Sequence, residues 1–221
     1  MKRVVFFTAA ILLCTSIQAQ IVSSRSVGLN SKPDRPSQTE HYWRVGLNMM
    51  KFTGDDIEDQ SRKIGYNFSY GFLKPMGNFG MYWGMEFGLG SRGYKYESEG
   101  FEEKLIAHNV QVSPFTFGYR YGITEALKVD IHLGAFASFD YTGKDKLEYE
   151  GEKEEVSMGD WDDPEGLDMD WQRFDAGLNV GFGVWYNRFN LDFNFQRGFV
   201  EAIKDYKCYT SNFSIRLGVA F

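Results

Sequence analysis

From Tyr42 to the final Phe221, apolar and polar residues take turns along the chain, and the alternation breaks only at turn-like clusters. A period of two is the spacing of a β-strand whose two faces meet different surroundings, so the chain is read as all-β. Eight such segments can be counted. The third is the clearest, with Phe79, Met81, Trp83, Met85, Phe87 and Leu89 opposed to Gly80, Tyr82, Gly84, Glu86, Gly88 and Gly90. The fifth alternates Leu127, Val129, Ile131, Leu133, Ala135, Ala137, Phe139 and Tyr141 with Lys128, Asp130, His132, Gly134, Phe136, Ser138 and Asp140. The fourth slips phase at Ser113-Pro114, where a β-bulge is expected because proline cannot donate to the ladder.

Alternation alone does not say which face meets water. A soluble lipocalin-like or avidin-like barrel would turn its apolar face inward and cover its outside with long Lys and Glu side chains. Here the polar face is mostly Gly, Asn, Ser and isolated charges, which suits a cramped interior. The 24 glycines are then spacers that admit inward Tyr82, Phe136 and Trp185. No apolar stretch of 18 residues follows residue 20, which excludes transmembrane helices. Connections alternate strictly between short (74–78, 122–126, 187–188) and long, the fifth running from Thr142 to about Asp170. Together these features predict a closed antiparallel eight-stranded transmembrane β-barrel in a bacterial outer membrane, with short periplasmic turns and long extracellular loops. Aromatics at the strand ends, Trp43, Phe72, Phe79, Tyr119, Tyr186 and Phe221 below and Tyr94, Tyr141, Trp171 and Tyr209 above, are read as two interfacial girdles.

The N-terminus supplies the route of export. Lys2-Arg3, the apolar run Val4 to Cys14 and the small Ala19 make residues 1–19 a cleaved signal peptide. Residues 20–40, polar and without periodicity, are a flexible lead-in, and 41–221 is the barrel. The mature chain keeps only Cys208, so no internal disulfide forms. A net charge of -6 without any basic stripe excludes nucleic acid as a partner.

The last strand, with hydrophobics at every second position from Phe213 through Ile215, Leu217 and Val219 to the terminal Phe221, resembles the assembly signal of outer-membrane barrels. With the run Phe174-Asp175-Ala176-Gly177-Leu178-Asn179-Val180-Gly181-Phe182-Gly183 and with Ser113-Pro114-Phe115, the chain from about residue 41 resembles the small PorT-like outer-membrane β-barrel family. The resemblance implies an outer-membrane barrel recognised by the barrel-assembly machinery, in contact with outer-membrane lipid and lipopolysaccharide. It fixes no role and names no protein partner.

Candidate chemistry lies on the inward face. Arg44, Arg120, Lys128 and Arg216 balance Glu86, Asp130, Asp175 and Asp192, and matched signs in a low-dielectric lumen point to a hydrogen-bonded plug. Arg216 is expected to pair with Asp192 on the neighbouring strand and to reach Glu86 across the lumen. A narrow channel is the alternative. For catalysis the best set is Asp130, His132 and Ser138, but side chains two apart on a strand are roughly 6 to 7 Å apart, too far for a relay. A lipid-modifying enzyme would also need polar groups on the outward face, which carries none in its apolar band. The chain is therefore read as non-catalytic, with a structural or surface-interaction role and no cofactor. The acidic connection 142–170 fails the EF-hand spacing and is read as a solvated, self-repelling loop, with divalent-cation binding by its carboxylates the alternative, and His41 and His108 lack paired ligands, so no transition-metal site is expected.

Overall fold

The computed structural model describes residues 39–54, 60–77, 79–98, 100–149, 152–161, 169–204 and 206–221. The chain divides into two compact units, Met1–Lys32 and Pro33–Phe221, and all of the described residues lie in the second. The signal peptide and nearly all of the lead-in fall outside the described residues; Glu40, placed at the end of that lead-in, is the first residue of a strand.

Ten strands are described in chain order: β1 (Glu40–Thr53), β2 (Gln60–Ser61), β3 (Lys63–Met76), β4 (Met81–Ser98), β5 (Phe101–Gly122), β6 (Leu127–Tyr149), β7 (Glu152–Ser157), β8 (Phe174–Tyr186), β9 (Phe189–Glu201) and β10 (Tyr209–Ala220). Eight of them form a ring in the order β4-β3-β1-β10-β9-β8-β6-β5, and β5 closes it on β4. Every pairing is antiparallel, and β1 meets β10 over the whole of its length, Tyr42 opposite Ala220 and Thr53 opposite Tyr209. The short strands β2 and β7 pair with β4 and β6 beyond the ring proper.

The outward face is the apolar one. Val45, Ile131 and Leu217 are exposed by 58, 62 and 64 %, while their neighbours Arg44, Asp130 and Arg216 are buried in the lumen. A closed sheet satisfies its backbone groups strand to strand and leaves no edge, as a lipid solvent demands. The bulge falls where proline required it: Val112 pairs Ala137 and Phe115 pairs Ala135, so Ser113 and Pro114 together oppose one residue of β6.

Inside, large side chains sit opposite glycines on the next strand. Arg216 faces Gly46, Arg44 faces Gly218, and Tyr82 faces Gly118. A Cβ on Gly118 would lie 2.2 Å from the Tyr82 ring, so the glycine is what lets that ring into a narrow barrel. Two apolar clusters bracket the lumen. Tyr42, Leu73, Tyr82 and Trp185 fill the end near the short turns. Phe52, Tyr94, Leu105, Ala107, Met158, Trp161, Trp171, Ala202 and Cys208 fill the other.

Two expectations are corrected here. Tyr94 and Trp171 belong to this inner cluster rather than to an interfacial girdle, because both are buried. The row at that rim on the outside is instead Tyr66, His108 and Tyr141: the Tyr66 hydroxyl lies 3.1 Å from His108 Nδ1, and Tyr141 is exposed. The third and fifth connections are also not coil. β4 and β5 run on as a hairpin until Ser98 pairs Phe101, and β6 and β7 form a second hairpin beside it.

Candidate functional site

Midway along the lumen, four strands bring their charges to one point. Arg216 on β10 gives Asp192 on β9 two contacts to Oδ1, from Nε at 2.7 Å and Nη2 at 2.5 Å, and reaches Glu86 Oε1 on β4 with Nη1 at 2.7 Å. Arg44 on β1 holds the other oxygen of Glu86 at 3.0 Å, lies 3.7 Å from Asp192 Oδ2 and donates from Nε to Asn190 at 2.9 Å. The Tyr42 hydroxyl adds a third donor to Glu86 at 2.9 Å. Each carboxylate thus touches both guanidiniums. Antiparallel register explains the meeting, because Arg216 and Asp192 are directly paired and Arg44 lies two residues along from Gly46, the residue opposite Arg216.

Below this group Arg120 pairs with Glu40 at 2.6 Å, lies 3.9 Å from Asp130 and stacks over the Trp185 ring at 4.2 Å. The indole N–H of Trp185 donates to Asp130. Glu40, left in the lead-in by the sequence reading, is therefore part of the charge system. Lys128 is only half-buried.

Asp130 and His132 do touch, with His132 Nδ1 3.1 Å from Asp130 Oδ1, although strand geometry alone keeps such pairs apart. The reason lies on β8: Gly183 and Gly181 stand opposite them, so both side chains lean into the empty positions. A Cβ on Gly181 would come within 2.2 Å of His132 Nε2. That nitrogen also lies 3.5 Å from Asp192 Oδ2, joining the two charge groups. Ser138 stays away. Six residues along the strand put it about 20 Å from His132, and its register partner on β8 is Asp175. The void lined by Tyr42, Arg44, Glu86, His132, Asn194 and Arg216 is about 10 Å³, room for about one water.

Asp175, grouped with the mid-lumen charges by the sequence, belongs to a separate cluster higher up. There Arg92 on β4 donates from Nε to Asp140 Oδ2 at 2.7 Å and from Nη2 to the Gln172 carbonyl, and its Nη1 lies 3.7 Å from Asp175. Trp171 Nε1 also donates to Asp140, at 2.9 Å, and the Arg92 guanidinium lies over the Trp171 ring at 4.7 Å. Arg92 and Asp140 were missed. The signal for Arg92 was its even spacing from Gly90, obscured because above the apolar band the outward face turns polar while the inward face carries apolar Tyr94.

The terminal-strand residues Phe213, Ile215, Leu217 and Val219 lie on the outward face, and Phe221 is exposed at its end. In the acidic connection, several of the described charges are paired: Glu155 takes Lys144 and Lys146, the latter at 2.8 Å, and Glu148 takes Lys153 at 3.2 Å. Hydrogen bonds from Lys144 and then Lys146 hold the Glu155 carboxyl down to about 2. Asp145, turned inward from the same hairpin, is pushed up to about 6, first by burial and then by Glu103. Glu150, Asp162, Asp163, Glu165 and Asp168 lie outside the described residues. Among the described residues, no group of three or more His, Cys, Asp or Glu side chains is placed to hold a metal ion.

Against this geometry stand the comparisons with known proteins. The family described as "Outer membrane protein beta-barrel domain" matches residues 18–204. No curated protein matches the sequence. Among solved structures, Ail, the attachment invasion locus protein of Yersinia pestis, in complex with the heparin analogue sucrose octasulfate, is 18% identical over 83% of this chain and 99% of that one, with a TM-score of 0.41. Neisserial surface protein A is 15% identical over 82% of this chain and 97% of that one, with a TM-score of 0.42.

Proposed function

The chain belongs to the outer membrane protein beta-barrel domain family, and we propose that within the outer membrane it is a non-catalytic barrel whose lumen is plugged by its own side chains. Its role is then structural or a matter of what its outer surface contacts. The observation that carries this reading is the mid-lumen crossing of Arg44 and Arg216 with Glu86 and Asp192, which spans from β1 and β10 to β4 and leaves about 10 Å³ of void. Charges matched in this way neutralise one another across the axis, whereas a selectivity filter would present one sign to passing ions. The apolar clusters at both ends support the same reading, because an ion would have to shed its water twice. Non-catalysis is supported by the separation of Ser138 from Asp130 and His132. Within the family, the terminal strand and the Phe174–Gly183 run favour the small PorT-like members.

Planar-bilayer recording tests the plug. The native barrel is expected to give no single-channel steps and Arg216→Ala to give them. Reproducible steps from the native protein would establish the narrow channel instead.

A further inference from the structure

On the outer surface, β5 and β6 carry a graded series of side chains above a groove. The groove measures about 310 Å³, within the size class of ligand sites, and is lined mainly by Phe87, Val110, Val112, Ala137, Phe139 and Phe174. Its floor is low because Ala137 pairs with Val112 on β5 and Ala176 on β8, small side chains beside the larger Phe139 and Phe174, and the bulge at Ser113-Pro114 lies directly beneath it. Reading upward from the groove, the outward positions of β5 are His108, Ile106, Lys104 and Glu102, and those of β6 are Tyr141, Lys144, Lys146 and Glu148. Lys95 on β4 pairs with Lys104, which pairs with Lys146, so three lysines stand side by side. The next row up, Glu97, Glu102 and Glu148, is acidic.

We infer that this face holds one phosphate-bearing acyl lipid of the outer leaflet, an acyl chain in the groove and its phosphates against Lys104, Lys144 and Lys146. The vertical order is that of the leaflet itself: hydrocarbon, then an interfacial row of Tyr141 and His108, then cations. Lys144 lies two residues of β5 register above His108, about 5 Å in height at a strand tilt of about 40°, and Lys104 and Lys146 about 10 Å. Headgroups occupy about 5 to 7 Å beyond the hydrocarbon on each side, within reach of these side chains. The lysines are not spent on one another's neighbours. Glu155 is shared between Lys144 and Lys146 and Glu102 between Lys95 and Lys104, with Glu97 a second partner of Lys95 alone, so among the described residues Lys104, Lys144 and Lys146 each have only a shared carboxylate. A phosphate would complete them. A second groove lower on the same strands, about 270 Å³ and lined by Met81, Phe117, Tyr119, Ile131, Leu133 and Val180, is separated from the lysines by the first groove and provides a built-in comparison.

The inference rests on the barrel's being embedded in an outer leaflet, and the test separates the two. The full chain is inserted into nanodiscs containing bisphosphorylated lipid A or its dephosphorylated form, then released for native mass spectrometry to count retained lipid. Retention of the bisphosphorylated form is expected to exceed the other by about fivefold or more. Ala137→Phe, which fills the groove, and the triple change Lys104→Gln, Lys144→Gln, Lys146→Gln should each reduce it about as much, while Val180→Phe in the second groove leaves it unchanged. All substitutions lie on the outer surface, and heat-modifiable migration confirms that each variant folds. Equal retention of both lipids, or retention indifferent to Ala137→Phe and to the lysine changes, overturns the lipid site alone. Failure of the native chain to insert into any bilayer overturns the membrane reading with it.

Discussion

Replacing Arg216 with Met keeps most of the side-chain volume and removes the charge, and the structure says where the loss falls. Glu86 retains Arg44 at 3.0 Å and the Tyr42 hydroxyl at 2.9 Å. Asp192 fares worse, left with Arg44 at 3.7 Å and His132 at 3.5 Å, neither a good hydrogen bond. Breaking a buried pair by removing one partner costs about 3 to 5 kcal/mol. Because Arg44 remains nearby, the lower end applies, about 3 kcal/mol, or a little over a hundredfold in the folding equilibrium. Asp192→Asn should cost a similar amount, since it leaves Arg216 with Glu86 alone. The double variant removes both halves and should cost about 2 kcal/mol less than the sum of the singles. Reversible urea unfolding in lipid vesicles, followed by tryptophan fluorescence, measures all four corners of the cycle. Single losses below about 1 kcal/mol that add within about 0.5 kcal/mol would refute the claim that these charges are coupled and buried.

Other perturbations probe separate parts of the molecule. Gly46→Ala would put a Cβ 2.2 Å from the Ile215 carbonyl oxygen, a backbone atom that cannot step aside, and should destabilise the barrel by about 1 to 3 kcal/mol in the same unfolding assay. Deleting Phe221 should lower the fraction of chain that reaches the folded, heat-modifiable form in the outer membrane; unchanged insertion would remove the terminal residue from the assembly signal. Asp145 binds its proton more tightly in the folded chain, at about 6, than an unfolded aspartate does at about 3.9. The Asp145 contribution to the stability of the β6–β7 hairpin should therefore fall as pH rises from about 4 to about 6 and level off above it, while Glu155, held down to about 2, weakens the hairpin only as pH falls below about 4.5. Hydrogen exchange across that hairpin should show the slope, and Asp145→Asn should flatten it.

The ring, its strand count and its short turns were legible because a period of two is written wherever one face meets lipid and the other a crowded lumen. The bulge was legible for a local reason, proline's missing donor. Above the apolar band that contrast reverses: Lys95, Lys104 and Lys146 face out while Tyr94 and Leu105 face in, so the hairpins read as loops and Arg92 as a loop residue. Asp175 was placed with the wrong partners because face, but not height along the barrel, can be read from alternation. His132 reached Asp130 because two glycines lie across from them on β8, a pairing that only register reveals.

The same alternation explains why so many charges are buried at all. Were the inward positions of the fifth segment apolar, Leu127 to Tyr141 would be one continuous hydrophobic run, approaching the length that reads as a membrane-spanning helix. Polar inward residues keep the unfolded chain hydrophilic, with a mean hydropathy of -0.38, until strand pairing sorts the two faces. That solution moves the difficulty into the lumen, where each charge must find a partner. Arginine suits the task because its fork reaches two carboxylates at once, and glycine on the next strand supplies the width its long stem needs. The buried charge network is thus the folded consequence of a sequence that must stay polar until it meets its membrane.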